Sequence, residues 1–334
     1  MYKGQFRYND FLAKNNHLRA GFSFGGRAWQ TGSLAYRYAP NEQWQIQLSG
    51  SATRRPDGRF FGIGSQANED LESEYGYLGA SGALTTQGNF WRQSNLRIGV
   101  GYRRTEFHSD VGSDVDDISI EDRFEAGQFD ALPPGYSDGI SVLYQSAKLT
   151  IDTRRARPAP GSGLRVTAGY ELAFDARHPG EQLWINYGGS VGAYVDVSGS
   201  QNVLGLQLSF AVADSINGDV PFTELPALSG NGPMRGFLGR FLVGQSHAAL
   251  LADYHWPVWN WLDATVHVAV GNVYDGKFEN FSIQNQRLSF GVGLAAVDQR
   301  DHFFEFLVGF GTDTFENGPD VQSVRVMFGG VREF

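Results

Sequence analysis

Apolar and polar residues alternate with a period of two along most of the chain. From Leu204 the apolar set is Leu204, Leu206, Leu208, Phe210 and Val212, with Gly205, Gln207, Ser209 and Ala211 between them. Leu164, Val166, Ala168, Tyr170, Leu172 and Phe174 repeat the pattern, as do Leu262, Ala264, Val266, Val268 and Val270. Leu288, Phe290, Val292 and Leu294 do so again. Such alternation marks strands with one apolar and one polar face. No segment of comparable length carries a helical period. The pattern predicts fifteen strands, over 3–12, 17–28, 31–39, 43–54, 74–86, 91–108, 140–153, 163–175, 182–197, 201–214, 245–257, 260–273, 287–297, 302–313 and 320–334.

A soluble β-sandwich also alternates, but three features separate the two architectures. The alternating stretches run to about ten residues, whereas sandwich strands are nearer about six. Their second face is Gly, Ser, Gln and Arg, as a wet lumen requires. Aromatic residues gather at strand ends: Trp256, Trp259 and Trp261 flank one turn, and Tyr36 and Tyr38 end another strand. An antiparallel transmembrane β-barrel needs all three, and a closed barrel is the one strand architecture that satisfies its backbone in lipid.

Connector lengths supply a polarity. Short connectors at Ala13–Asn16, Ala39–Glu42, Thr86–Phe90, Arg154–Ser162, Ser198–Ser200, Pro257–Trp259 and Val297–Asp301 alternate with long ones at 55–73, 109–139, 215–244 and 274–286. Short turns belong to the periplasmic side and long loops to the extracellular side. The expected domain is therefore one barrel over 1–334, with the terminus at Phe334 opposite the long loops. Because such barrels normally have an even strand number, fifteen leads to the expectation that a first strand, and any soluble N-terminal domain, lie outside this chain.

Composition narrows the function. The chain of 334 residues has no Cys, 43 Gly, 14% aromatic residues, 19% charged residues and a formal charge of −9. Without Cys there is no disulfide framework, thiolate metal site or cysteine nucleophile. An acidic chain without a basic block is unsuited to nucleic acid. No apolar run is long enough for a transmembrane helix, and the start MYKGQFRYNDF does not read as a signal peptide.

Four stretches in order resemble the BamA/TamA family of outer-membrane assembly factors, the bacterial surface antigen type. They are Phe60-Phe61-Gly62-Ile63-Gly64; Ile151-Asp152-Thr153-Arg154 with the turn that follows it to Gly163; Met234-Arg235-Gly236-Phe237, followed by Asp253-Tyr254-His255-Trp256-Pro257; and a last strand with Phe328 and the terminal Phe334. The resemblance implies a nominally sixteen-stranded barrel whose sixth extracellular loop folds into the lumen. It implies that Arg235, Gly236 and Phe237 anchor this loop and that Asp253 meets the Arg235 guanidinium. It further implies that Asp152, Thr153, Arg154 and Gly163 shape a turn, and that Phe328 and Phe334 form a C-terminal assembly signal. One departure is chemical: Ala269 stands where the family carries a second acid.

The expected protein is thus an integral barrel of the bacterial outer membrane, resembling factors for outer-membrane protein insertion or polypeptide translocation. Its expected partners are outer-membrane lipid, lipopolysaccharide and client β-barrel or secreted polypeptides. A passive porin-like channel, or a membrane anchor or secretion barrel for an N-terminal passenger, are the alternatives. No nucleophile–base constellation suggests an enzyme, and no cofactor is implied. His247, His255 and His267 lack metal-ligand spacing and read as lumenal filler. The acids between Ser109 and Gly139 read as a solvated loop rather than a calcium site.

Overall fold

The computed structural model describes residues 2–12, 14–65, 67–109, 118–154, 161–259, 261–296 and 305–329. Fifteen strands follow one another: β1 (Tyr2–Asn9), β2 (Asn16–Phe24), β3 (Gln30–Tyr38), β4 (Trp44–Phe60), β5 (Ser73–Trp91), β6 (Ser94–His108), β7 (Ile140–Asp152), β8 (Gly163–Asp175), β9 (Leu183–Asp196), β10 (Val203–Asn217), β11 (Ser246–Trp259), β12 (Leu262–Tyr274), β13 (Arg287–Ala296), β14 (Glu305–Thr314) and β15 (Val321–Gly329). Each pairs antiparallel with the next, in one sheet whose spatial order is the sequence order. Among the described residues no ladder joins β15 back to β1.

The faces follow the alternation. Leu204, Leu206, Leu208 and Phe210 on β10, and Val266 and Val268 on β12, are exposed on the outside. Their neighbours Ser209, His267 and Ala269 are buried on the inside. Trp259 and Trp261 stack 6.2 Å apart at the turn between β11 and β12, while Tyr254 and Trp256 stack 5.5 Å apart on the outer face. Amphipathic rings at strand ends suit the membrane–water boundary.

The loop between β10 and β11 shows that the sheet is rolled into a barrel wall. Glu224 of this loop pairs with Arg103 on β6, and the Gly230 carbonyl accepts from Arg325 on β15. Strands nine positions apart in the order therefore touch one loop, which a flat sheet would forbid. Alternate connectors place loops 61–72, 109–139, 218–245 and 275–286 at one end. β15 runs toward the other end; Phe334 itself lies outside the described residues.

Several strand ends differ from the sequence expectation, most of all in β4 and β5. β4 and β5 reach Phe60 and Ser73, so the loop expected at 55–73 shrinks to 61–72. Pro56-Asp57-Gly58 reads as a turn by residue type, yet it is absorbed as a register shift between Arg55 and Gly58 within a continuing ladder. At its other end β5 runs to Trp91, and the turn expected at Thr86–Phe90 becomes Arg92–Gln93. The loop after β6 also holds one short helix, α1 (Ile120–Glu125), closed at its start by reciprocal bonds between Ser119 and Asp122.

These extensions build an apolar roof over the long-loop end. Phe60, Tyr75, Ile120, Tyr136 and Phe222 form one buried cluster, with Phe222 contacting Phe107 at 5.1 Å between ring centroids. The roof joins β4, β5 and β6 to α1 and to the start of the β10–β11 loop.

Candidate functional site: a loop seated in the barrel lumen

Residues 218–245 leave the rim and cross the lumen. Inside, Phe61, Ala67, Leu228, Met234, Phe237, Phe241 and Leu242 pack on Ala249 and Leu251 of β11 and on Ala269 and Val273 of β12. The position that lacks the family's second acid is therefore an apolar contact, with Ala269 fully buried. Loop 61–72 joins the same core: the Gly64 amide donates to the Val243 carbonyl at 2.8 Å.

The tip of the loop lies on β13 and β14. A Cβ on Gly236 would stand 2.0 Å from the Phe310 carbonyl oxygen, so only glycine permits this approach. Opposite it, a Cβ on Gly309 would meet the Gly236 Cα at 2.9 Å, and one on Gly311 would meet the Phe237 ring at 2.6 Å. Two side-chain-free positions on β14 thus make a seat that Gly236 and Phe237 fill. The Gly236 amide donates to the Ser289 hydroxyl of β13 at 2.8 Å, fixing the tip along the strand.

Charged contacts hold the loop at its flanks. Arg103 bridges Glu224 of the loop and Glu171 of β8, the latter at 2.5 Å. Asn186 of β9 donates to the Glu224 carbonyl at 3.1 Å. On the far wall, Arg325 of β15 donates to the carbonyls of Gly230 and Arg235, the second at 3.4 Å. Arg287, buried on β13, donates to the Ala67 carbonyl at 2.9 Å and pairs with Asp313 at 3.3 Å. Arg287 and Arg325 were not singled out from the sequence. Their available signal is an arginine at an inward position on strands otherwise lined by Gly and Ser.

The expected Arg235–Asp253 ion pair is not formed. Asp253 is buried on β11 and faces inward as its alternation requires, but its carboxylate pairs with His255 at 2.6 Å. It lies against Gly205, whose Cβ would stand 2.7 Å from Asp253 Oδ1. His267 of β12 is buried and stands opposite Asp253 in the register. The tip is instead fixed by apolar packing and by the glycine seat on β14.

The turn residues behave as a unit. Asp152, buried at the end of β7, accepts from the Arg154 amide at 3.0 Å and from its guanidinium Nη2 at 2.8 Å. The Thr153 hydroxyl accepts from the Leu164 amide at 2.8 Å. A Cβ on Gly163 would collide with that hydroxyl at 2.7 Å. Arg154 lies over the Tyr194 ring at 4.2 Å, and Tyr194 feels both Asp152 and Asp253. Two motifs distant in sequence therefore meet on the inner wall through a tyrosine that the sequence reading passed over.

The remaining candidates are placed more simply. Phe328 points outward on β15 and is largely exposed, as a lipid-facing aromatic would be. Phe334 lies outside the described residues. His247 and His267 are buried, and His255 serves Asp253. In the acidic loop, Glu121 accepts from the Tyr136 hydroxyl at 2.8 Å; burial, with this bond second, raises the tyrosine pKa well above its usual range.

No curated protein matches the chain in sequence. Among solved structures, BamA from Haemophilus ducreyi lacking POTRA domains 1–3 is similar over 96% of this chain and 65% of its own, with a TM-score of 0.63 at 14% identity. CdiB from Acinetobacter baumannii is similar over 98% of this chain and 56% of its own (TM-score 0.56, 13% identity). CdiB from Escherichia coli gives 98%, 57%, 0.54 and 11% for the same four quantities. The chain thus spans less than two thirds of the length of these neighbours, and the likeness shows the fold. Residues 10–297 match the Omp85 superfamily domain, in agreement with the BamA/TamA resemblance of the motifs. The chain belongs to the Omp85 superfamily and is a β-barrel of the bacterial outer membrane.

Proposed function

We propose that this barrel inserts outer-membrane proteins or translocates polypeptides across the outer membrane. The observation that carries the reading is the seated loop. A passive pore needs an open lumen, whereas here residues 218–245 cross the lumen and are pinned to β6, β14 and β15. On this reading the activity is non-enzymatic. The partners are lipid and lipopolysaccharide around the apolar face, and client β-barrel or secreted polypeptides.

The test is reconstitution of the chain in lipid vesicles with an unfolded eight-stranded barrel protein or a secreted polypeptide as client. Faster client folding, or protease protection of the secreted client, than in empty vesicles is expected. Gly236→Val, which drives a side chain into the Phe310 backbone, should lower that gain about tenfold or more while the barrel itself stays inserted. Vesicles that leak ions freely but leave both clients unassisted would establish the passive pore instead.

A further inference from the structure

The inner face of β1–β4 differs from the rest of the lumen. On β1 the exposed Phe6 and Tyr8 point outward, so Lys3, Gln5 and Arg7 point inward. The same parity turns Arg19 of β2 inward, opposite to exposed Phe22 and Phe24, and Arg37 of β3, opposite to exposed Leu34 and Tyr38. Arg55 lies on the inner side near the upper end of β4, beside Asp57 and 4.5 Å over the Trp29 ring. Asp57 is the one acid on this face of the four strands among the described residues.

The register places these cations in rows. Arg7 stands directly opposite Arg19. Arg37 stands opposite His17, one inward row lower, and Lys3 is two inward rows above Arg7. Arg55 lies one row above the Thr31–Thr53 pair, which is level with Lys3 through Ser23. With about 6.7 Å between successive inward residues, the cations climb about 27 Å from the short-turn end to the long-loop end. Most of the inward residues between them are small, among them Gly21, Ser23, Thr31, Ser33, Ser49, Ser51 and Thr53. A cavity of ≈ 530 Å³ opens between Lys3, Gln5, Arg19, Trp29, Thr31 and Arg55.

Like charges facing each other across a strand pair are unfavourable, and Arg37 is close enough to Arg7 to feel its charge. Arg7, Arg19 and Arg37 each have a partner; the feature is the number of cations on this face, Lys3, Arg7, Arg19, Arg37 and Arg55, against Asp57 among the described residues of the four strands. In a chain of net charge −9, that excess is local and directional.

We propose that the inner face of β1–β4 is a docking track for an extended polypeptide segment rich in Asp and Glu. The track is too long for a single small anion to neutralise. Carboxylates on alternate residues of an extended chain repeat at the same spacing as the rows. The inference rests on the polypeptide-handling reading above and adds the class of segment that the lumen favours.

The test uses the full chain in detergent, following Trp29 emission, which reports on Arg55. Titration with decaglutamate should give a saturable change that decalysine does not produce and that weakens with added salt. The Arg7→Gln/Arg19→Gln/Arg37→Gln variant should bind decaglutamate at least tenfold more weakly. The corresponding triple Lys variant should retain binding. Unchanged heat-modifiable migration of both variants shows that the barrel is intact in each. Persistence of the emission change in Trp29→Phe would move the binding elsewhere and overturn the track. Equal affinity for decalysine, no response to decaglutamate, or an unaffected Gln variant would also overturn it. Matching affinity for an oligothymidylate of equal charge would overturn the polypeptide assignment. A chain that assists clients but ignores decaglutamate loses this inference alone. A chain that binds decaglutamate but assists no client loses only the earlier reading.

Discussion

At the scale of single residues, the loop tip shows why one motif can be read and its partner missed. The resemblance implies a lumenal anchor at Arg235-Gly236-Phe237, and in the structure Gly236 lies against β14 while Phe237 joins the buried cluster. What local sequence could not supply was the opposite surface, because Gly309 and Gly311 matter for what they lack. Loop anchoring thereby passes from the expected ion pair to packing. Phe237 is fully buried and should dominate: Phe237→Ala is expected to cost the seated loop about 3–5 kcal/mol, the usual range for a buried aromatic. Asp253→Ala, which removes a partner from half-exposed His255 rather than from Arg235, should cost about 1 kcal/mol or less. Limited proteolysis between Gly230 and Gly239 separates the two: cleavage should accelerate strongly in Phe237→Ala and little in Asp253→Ala.

At the scale of elements, period-two alternation located all fifteen strands, because one face meets lipid and the other water at nearly every position. It failed at strand ends that rise above the membrane. There Pro56-Asp57-Gly58 obeys turn chemistry locally, while pairing with Tyr75 and Glu74 carries the ladder past it. Helix α1 was likewise missed, although Ser119-Ile120-Glu121-Asp122 holds the spacing of a capping box. That cap carries a pH dependence. Hydrogen bonds from the Ser119 hydroxyl and amide hold the Asp122 carboxyl below the usual carboxylate range. Such a depressed group stabilises the folded form fully above its unfolded pKa and loses that contribution as pH falls through the folded value. Amide exchange at 119–126, normalised to intrinsic rates, should therefore show constant protection near neutrality and loss of it below about pH 4. In Asp122→Asn the acid-dependent step should vanish.

At the scale of the whole molecule, the seat of the loop constrains the order in which the protein assembles. Residues 218–245 precede β11 in the chain, yet their tip rests on β13 and β14 and is gripped by Arg325 of β15. A surface made by later residues cannot receive an earlier segment until those residues have paired, and such distant closures are slow. Loop docking is thus the closing event of folding rather than its nucleus. During refolding into detergent or lipid, the heat-resistant barrel band should appear before residues 230–239 become protected from protease. Gly236→Val should leave the first phase intact and abolish the second. The interval between the two phases would be a period in which the nascent barrel is a hollow, leaky cylinder, so the timing of this one loop sets how long a newly made copy breaches the membrane that it has entered.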